Sequence, residues 1–116
     1  MVYMMNEVRK LVPPILMLLL ICLVSSISVA QTNPGEDLFK SKCASCHGPD
    51  GAGKTTLGTM LKIRDLGSAD VQKQADADLN RIITKGKNKM PAFDGKLKKE
   101  QIEQLVGYVR ELAKKK

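Results

Sequence analysis

A single histidine, His47, serves the whole chain, and tryptophan is absent. Cysteine is nearly as scarce, with Cys22, Cys43 and Cys46 the only three. Each shortage excludes something. A structural zinc site wants four ligands of the Cys or His type. The chain beyond residue 30 offers three, all inside one five-residue stretch, with no second C-x-x-C. A thioredoxin-like dithiol wants a neighbouring βαβ pattern, and no strand-rich run is present. Internal repeats are missing, as is any sign of a second domain. Past residue 30 the aromatics dwindle to Phe39, Phe93 and Tyr108, so a domain of this size struggles to build a core unaided.

What is present is Cys43-Ala44-Ser45-Cys46-His47. C-x-x-C-H reads as a site of covalent haem attachment. Two cysteines three apart sit on neighbouring positions of one helical turn, so both sulfurs reach the two vinyl groups along one porphyrin edge. The histidine directly after them swings under the ring, where its imidazole nitrogen can bind iron as the proximal ligand. A large flat apolar cofactor also answers the shortage of core. At ~25 cal/mol per Å2, several hundred buried Å2 of porphyrin contributes on the order of 10 kcal/mol of gross stabilisation. The protein without haem is therefore expected to fold poorly.

The first thirty residues read as an export signal. Arg9 and Lys10 precede an apolar run from Leu11 to Val24, and Ser28-Val29-Ala30 has the small–x–small form of a cleavage site before Gln31. The rival is an uncleaved membrane anchor, since about 20 apolar residues can span a bilayer. Pro13, Pro14 and the serines shorten the strongly apolar part and favour cleavage. Cys22 lies inside the run as an apolar filler. The reading is thus a signal peptide over 1–30 and one domain over 31–116. That domain carries 17 Lys/Arg and 11 Asp/Glu, a charge of +6. Export fits the cysteine usage, because haem consumes both motif thiols and none remains for a disulfide.

Along the domain, Asn33 with Pro34 at the first helical position, or a residue just after, can cap a helix running to about Ala44 or Cys46. Glu36 and Asp37 suit the positive end of its dipole. Phe39 falls four residues before Cys43, on the same face, and Gly35 four before Phe39. From Thr56 to Gly67 the pattern is loose. Leu57, Met60, Leu61, Ile63 and Leu66 are expected to line the haem pocket. A backbone carbonyl in this region is expected to accept the His47 ring N–H and fix its orientation. Ser68 is an N-cap for a short helix over Ala69 to Gln74. Asp76 or Asp78 starts a better one, with Leu79, Ile82 and Ile83 at i, i+3, i+4 and Gly86 as its C-cap glycine. The last helix spans about Lys99 to Ala113, with Ile102, Leu105, Val106, Val109 and Leu112 as one apolar stripe.

Gly48-Pro49-Asp50-Gly51-Ala52-Gly53-Lys54-Thr55 formally satisfies G-x-x-x-x-G-K-[ST]. That pattern has meaning only between a buried strand and a helix. Here it follows Cys46-His47, so it reads as an accidental match whose glycines let the chain turn tightly beside the haem. No nucleotide is expected.

A haem iron held by His47 has a second axial position that a thioether can fill, and past residue 30 the only methionines are Met60 and Met90. A methionine is usually core filler. Met90 has the better context. It lies in a short loop between two helices, Pro91 restricts its backbone, and Lys87-Asn88-Lys89 before it would not bury without something holding the sulfur inside. Met90 is therefore the expected distal ligand and Met60 pocket lining.

Taken together, C-x-x-C-H, the Gly35/Phe39 and Leu105/Tyr108 spacings and Met90-Pro91 ahead of the last helix resemble the class I c-type cytochromes, over nearly all of the chain after the signal. The resemblance implies an all-α cytochrome c fold of three to five helices wrapped around one covalent haem c, with the N- and C-terminal helices crossing. It implies that Cys43 and Cys46 carry the haem thioethers and that His47 and Met90 are the axial ligands. Many relatives take the carbonyl for the proximal histidine from a proline segment. This chain has no proline between Pro49 and Pro91, which leaves that residue open.

With both axial positions filled by protein, electron transfer is favoured over catalysis, and a thioether raises the potential. The expected function is a periplasmic single-electron carrier rather than an enzyme. The rivals are a peroxidase-like or gas-binding haem protein and a dedicated electron-accepting subunit of one dehydrogenase. Expected partners are acidic redox proteins: membrane oxidase or reductase complexes, or a periplasmic dehydrogenase. They would dock on Lys40, Lys42, Lys54, Lys85, Lys87 and Lys89. Export separates the protein from nucleic acid, and a membrane association requires the N-terminal segment to be retained.

Overall fold

The computed structural model describes residues 31–116. The expected signal peptide over 1–30, with Cys22, lies outside the described residues. Among the described residues six helical segments follow one another: α1 (Pro34–Lys42), α2 (Ala44–His47), α3 (Thr56–Met60), α4 (Ala69–Gln72), α5 (Asp76–Lys85) and α6 (Lys99–Lys114). No strand occurs among the described residues beyond an isolated antiparallel bridge between Lys87 and Met90. The fold is all-α, as expected. The count exceeds three to five because the first helix does not run through the haem motif. It stops at Lys42, and Cys43, at φ −120° and ψ −31°, separates it from the single turn of α2.

Local chemistry accounts for the long elements. Asn33 Oδ1 accepts from the N–H groups of Gly35 (3.1 Å) and Glu36 (3.4 Å), with Pro34 in the first turn where its missing N–H costs nothing. Glu36 and Asp37 sit at the start of α1, and Lys40 and Lys42 at its end, as the helix dipole favours. α5 buries Leu79 and Ile83 and ends at Gly86, whose φ of +73° suits glycine. α6 carries the full predicted stripe, with Ile102, Leu105, Val106, Val109 and Leu112 buried and Tyr108 beside them. Its start is held by Gln101 Oε1, which accepts from Lys98 N–H at 2.9 Å. Ser68 was expected to cap α4 through its hydroxyl. Its backbone carbonyl serves instead, accepting from Val71 and Gln72.

The core lies where α1 crosses α6. Phe39 is 2% exposed, Leu105 1% and Tyr108 2%. The Phe39 and Tyr108 rings meet at 5.2 Å and 51°, a tilted contact favourable for aromatic pairs. Burying a side chain such as Phe39 or Leu105 stabilises by about 1.5–3 kcal/mol. Gly35 lets the two helices close: a Cβ there would overlap the Gln104 backbone carbonyl. A polar knot ties the middle of the chain to α6. Gln72 Nε2 donates to the carbonyls of Leu66 (2.8 Å) and Val109 (3.0 Å), and Arg110 donates to Gln72 O (2.8 Å) and to the Asp76 carboxylate (2.9 Å).

Candidate functional site

Between α2, the 61–66 segment, α4–α5 and the loop before α6 the protein encloses a cavity of about 360 Å3. Cys43, Cys46, His47 and Met90 all line it. Its apolar wall includes Leu66, Val71, Leu79, Ile82 and Phe93. The four side chains singled out by sequence thus converge on one space, though Met90 lies far along the chain from the other three.

α2 presents the motif as one turn. His47 N–H donates to Cys43 O at 2.9 Å, so the two cysteines and the histidine are set by the same short piece of backbone. Both thiols are free. Burial, with Cys46 beside it, pushes the Cys43 thiol up to about 11. A catalytic dithiol needs a lowered thiol pKa, so this environment opposes that reading. No group of three or more His, Cys, Asp or Glu among the described residues is placed to hold a metal ion.

Burial holds the His47 imidazole below its ordinary pKa, so it is neutral near pH 7. Its ring lies 6.3 Å from that of Phe39, which places Phe39 against both His47 and Tyr108. Nδ1 is buried without a hydrogen-bond partner. This corrects the expectation that a carbonyl of the 56–67 segment accepts the ring N–H. The reason is visible in that segment: the carbonyls of Ile63 and Arg64 turn towards Gly53, 2.6 and 3.4 Å from where its Cβ would stand. An unsatisfied buried nitrogen costs about 1–3 kcal/mol.

Met90 is held through its backbone. The Lys87–Met90 bridge makes two hydrogen bonds, Met90 N–H to Lys87 O (2.9 Å) and Lys87 N–H to Met90 O (3.2 Å), across a turn with Asn88 at φ +54°. Phe93 N–H donates to Ile83 O and Asp94 N–H to Thr84 O, pinning the loop back on α5. Gly86 is the pivot: a Cβ there would stand 2.6 Å from Met90 O and 2.9 Å from Ala92 N. The Met90 side chain packs against the hydrophobic core.

Met60 departs from expectation. It is 73% exposed and absent from the cavity wall, as is Leu57 at 42%. α3 is a single turn whose buried face is taken by Gly58, so its larger side chains turn outward. The basic ring also changes membership. Lys42, Lys87 and Lys89 border the cavity, joined by Lys62 and Arg64, which sequence reasoning passed over. Their signal was their alternation with Leu61 and Ile63 in the pocket segment. Lys40 pairs with Glu36 at 2.9 Å and Lys85 with Asp94 at 3.0 Å, while Lys54 is not in the wall.

The phosphate-loop lookalike is unfit for phosphate. It follows the helical turn α2, not a strand. Three of its amides are already engaged: Gly51 N–H on Gly48 O, Ala52 N–H on Asp50 Oδ1 and Gly53 N–H on His47 O.

Two thiols, an imidazole, a thioether and an apolar wall lining one cavity form a donor set that suits a haem. Comparison with known proteins agrees. The family model described as "Cytochrome C oxidase, cbb3-type, subunit III" matches residues 30–109. Cytochrome c6 of Nostoc sp. is 42% identical over 83 residues, covering 69% of each chain. Cytochrome c6 of Gloeothece citriformis is 33% identical over 113 residues, covering 92% of this chain and 97% of its own. The solved structure of the KustC0563 c-type cytochrome superposes with a TM-score of 0.63 at 35% identity, over 67% of this chain and 95% of that one. On fold, cavity and relatives alike, the chain belongs to the class I c-type cytochromes, electron carriers built on a covalently attached haem c.

Proposed function

We propose that this cytochrome is an exported, periplasmic single-electron carrier whose haem is bound through Cys43 and Cys46 and ligated axially by His47 and Met90. The observation that carries the proposal is the shared cavity, into which α2 and the loop after α5 bring all four residues. When bound, the haem supplies an iron that accepts and gives up one electron without any bond being broken.

Every other part of the task falls to the chain. The Cys43 and Cys46 sulfurs would tether the porphyrin edge. The neutral His47 imidazole has a lone pair free for iron. The thioether of Met90, fixed by the Lys87 bridge, favours the reduced state more than a second imidazole would. The apolar wall excludes water and so limits reorganisation around the transferred charge. Lys42, Lys62, Arg64, Lys87 and Lys89 give the cavity mouth one sign of charge, suited to acidic partner proteins and to fast encounter. No helix among the described residues is long and apolar enough to cross a membrane.

The test is spectroscopic. The ferric protein should show the weak band at the red end of the visible spectrum that reports Met–Fe(III) bonding, and Met90→Ala should abolish it. Ready binding of carbon monoxide to the native ferrous protein would instead favour a gas-binding or peroxidase-like role.

A further inference from the structure

The loop Gly48–Thr55 has no phosphate geometry, and electron carriage as set out above assigns it nothing. What it holds is the end of α2. A helix ends in carbonyls that have no partner within it. In α2, those of Cys46 and His47 are met from this loop: Gly53 N–H donates to His47 O at 2.7 Å, and Thr55 Oγ1 donates to Cys46 O at 2.9 Å. The same Thr55 oxygen accepts from Gly58 N–H at 2.8 Å and so caps α3. One hydroxyl uses its hydrogen on one helix and a lone pair on the next.

The consequence falls on the peptide between Cys46 and His47. Its oxygen is held by Thr55, and its N–H by Cys43 O at 2.9 Å. The following peptide is held as well, with His47 O on Gly53 N–H and Gly48 N–H on Ala44 O at 2.8 Å. Both planes flanking the His47 Cα are therefore fixed on both edges. Three of those four bonds come from backbone, and only the Thr55 bond depends on a side chain. α3 is pressed against the same point, since a Cβ on Gly58 would stand 2.6 Å from Cys46 O.

We propose that Thr55 is a positioning residue: its hydroxyl fixes the Cys46–His47 peptide and thereby sets how the imidazole is presented to the haem iron. The proposal rests on His47 being the iron ligand. The test compares Thr55→Val, which keeps the shape and loses the hydroxyl, with Thr55→Ser, which keeps the hydroxyl. Both are made as haem-loaded protein. The readouts are the ferric electron-paramagnetic-resonance g values, which report the orientation and strength of the axial ligands, and the reduction potential. Thr55→Val should shift both, and Thr55→Ser should return both to wild type. A Thr55→Val protein that merely melts earlier, with g values and potential unchanged, overturns the proposal. So does a Ser variant shifted as far as Val. A wild type without a low-spin ferric signal overturns the ligand assignment instead. Should Thr55→Val not load haem, amide exchange in the wild type decides. Gly58 N–H protected like the amides of α6 supports the latch, and exchange at the rate of a free loop amide sinks it.

Discussion

Gly35 meets the Gln104 carbonyl across the α1–α6 crossing with no room for a methyl group between them. Nothing near it is a flexible side-chain tip: the obstacles are Gln104 backbone and the Tyr108 Cβ at 3.2 Å. Gly35→Ala must therefore push the helices apart. Overpacking of this kind costs about 1–3 kcal/mol. The haem-loaded variant should melt several degrees lower in a thermal scan followed by circular dichroism. Gly107→Ala is the control, because a Cβ there meets nothing within 4 Å. It replaces a mid-helix glycine and should stabilise by up to about 1 kcal/mol.

Removing the cofactor should remove the fold. Leu66, Val71, Leu79, Ile82 and Phe93 line the cavity, and all but Ile82 also adjoin or belong to the core, so a domain of this size leaves one face of its small core uncovered when the cavity is empty. Cys43→Ser with Cys46→Ser, which leaves no thioether, should give a protein with reduced helical signal and no cooperative thermal transition. A sharp transition in the colourless double variant would contradict the central role given to haem burial.

Gly86 is where the Met90 loop depends on the absence of a side chain. Its φ is +73°, and a Cβ would press on Met90 O, Ala92 N and Pro91 C. Gly86→Ala should loosen the loop before it unfolds the helices. The red-edge band should fade at a lower temperature than in wild type and ahead of the loss of helical signal. Simultaneous loss of both would show that the loop and α5 come apart together.

Charge reversal should separate steering from structure. Lys87 and Lys89 border the cavity and are exposed. Lys87→Glu with Lys89→Glu should slow bimolecular electron transfer with an acidic partner by tenfold or more at low ionic strength. The difference from wild type should shrink as salt screens it, because the Debye length falls from ≈ 10 Å at 0.1 M to 3 Å at 1 M. The melting temperature should hardly move, since neither lysine takes part in an ion pair among those described. Rates independent of salt would mean the basic rim is only a solvated surface.

Much of this was legible in the chain itself, for identifiable reasons. α1, α5 and α6 announced themselves because each is at least two turns long, carries an apolar stripe and has a recognisable end, as Asn33-Pro34 and Gly86 illustrate. The haem motif was readable because its meaning is local. Context in the sequence singled out Met90, and Met90 does line the cavity. The errors cluster where elements are one turn long. Periodicity has no meaning over five residues, so nothing in Thr56–Met60 could say that Gly58, and not Met60 or Leu57, faces inward. The break at Cys43 follows from backbone angles that no pattern of side chains encodes. Thr55 was passed over because it was read as the end of a glycine turn, although a threonine just before a helical segment is a standard capping choice.

One aromatic ring, Phe39, rests against both Tyr108 and His47. Whatever parts α1 from α6 must therefore disturb the surroundings of the His47 imidazole at the same moment. Colour in this protein is consequently a gauge of its architecture, and a simple absorbance trace followed through denaturation reports how firmly its two ends are clasped.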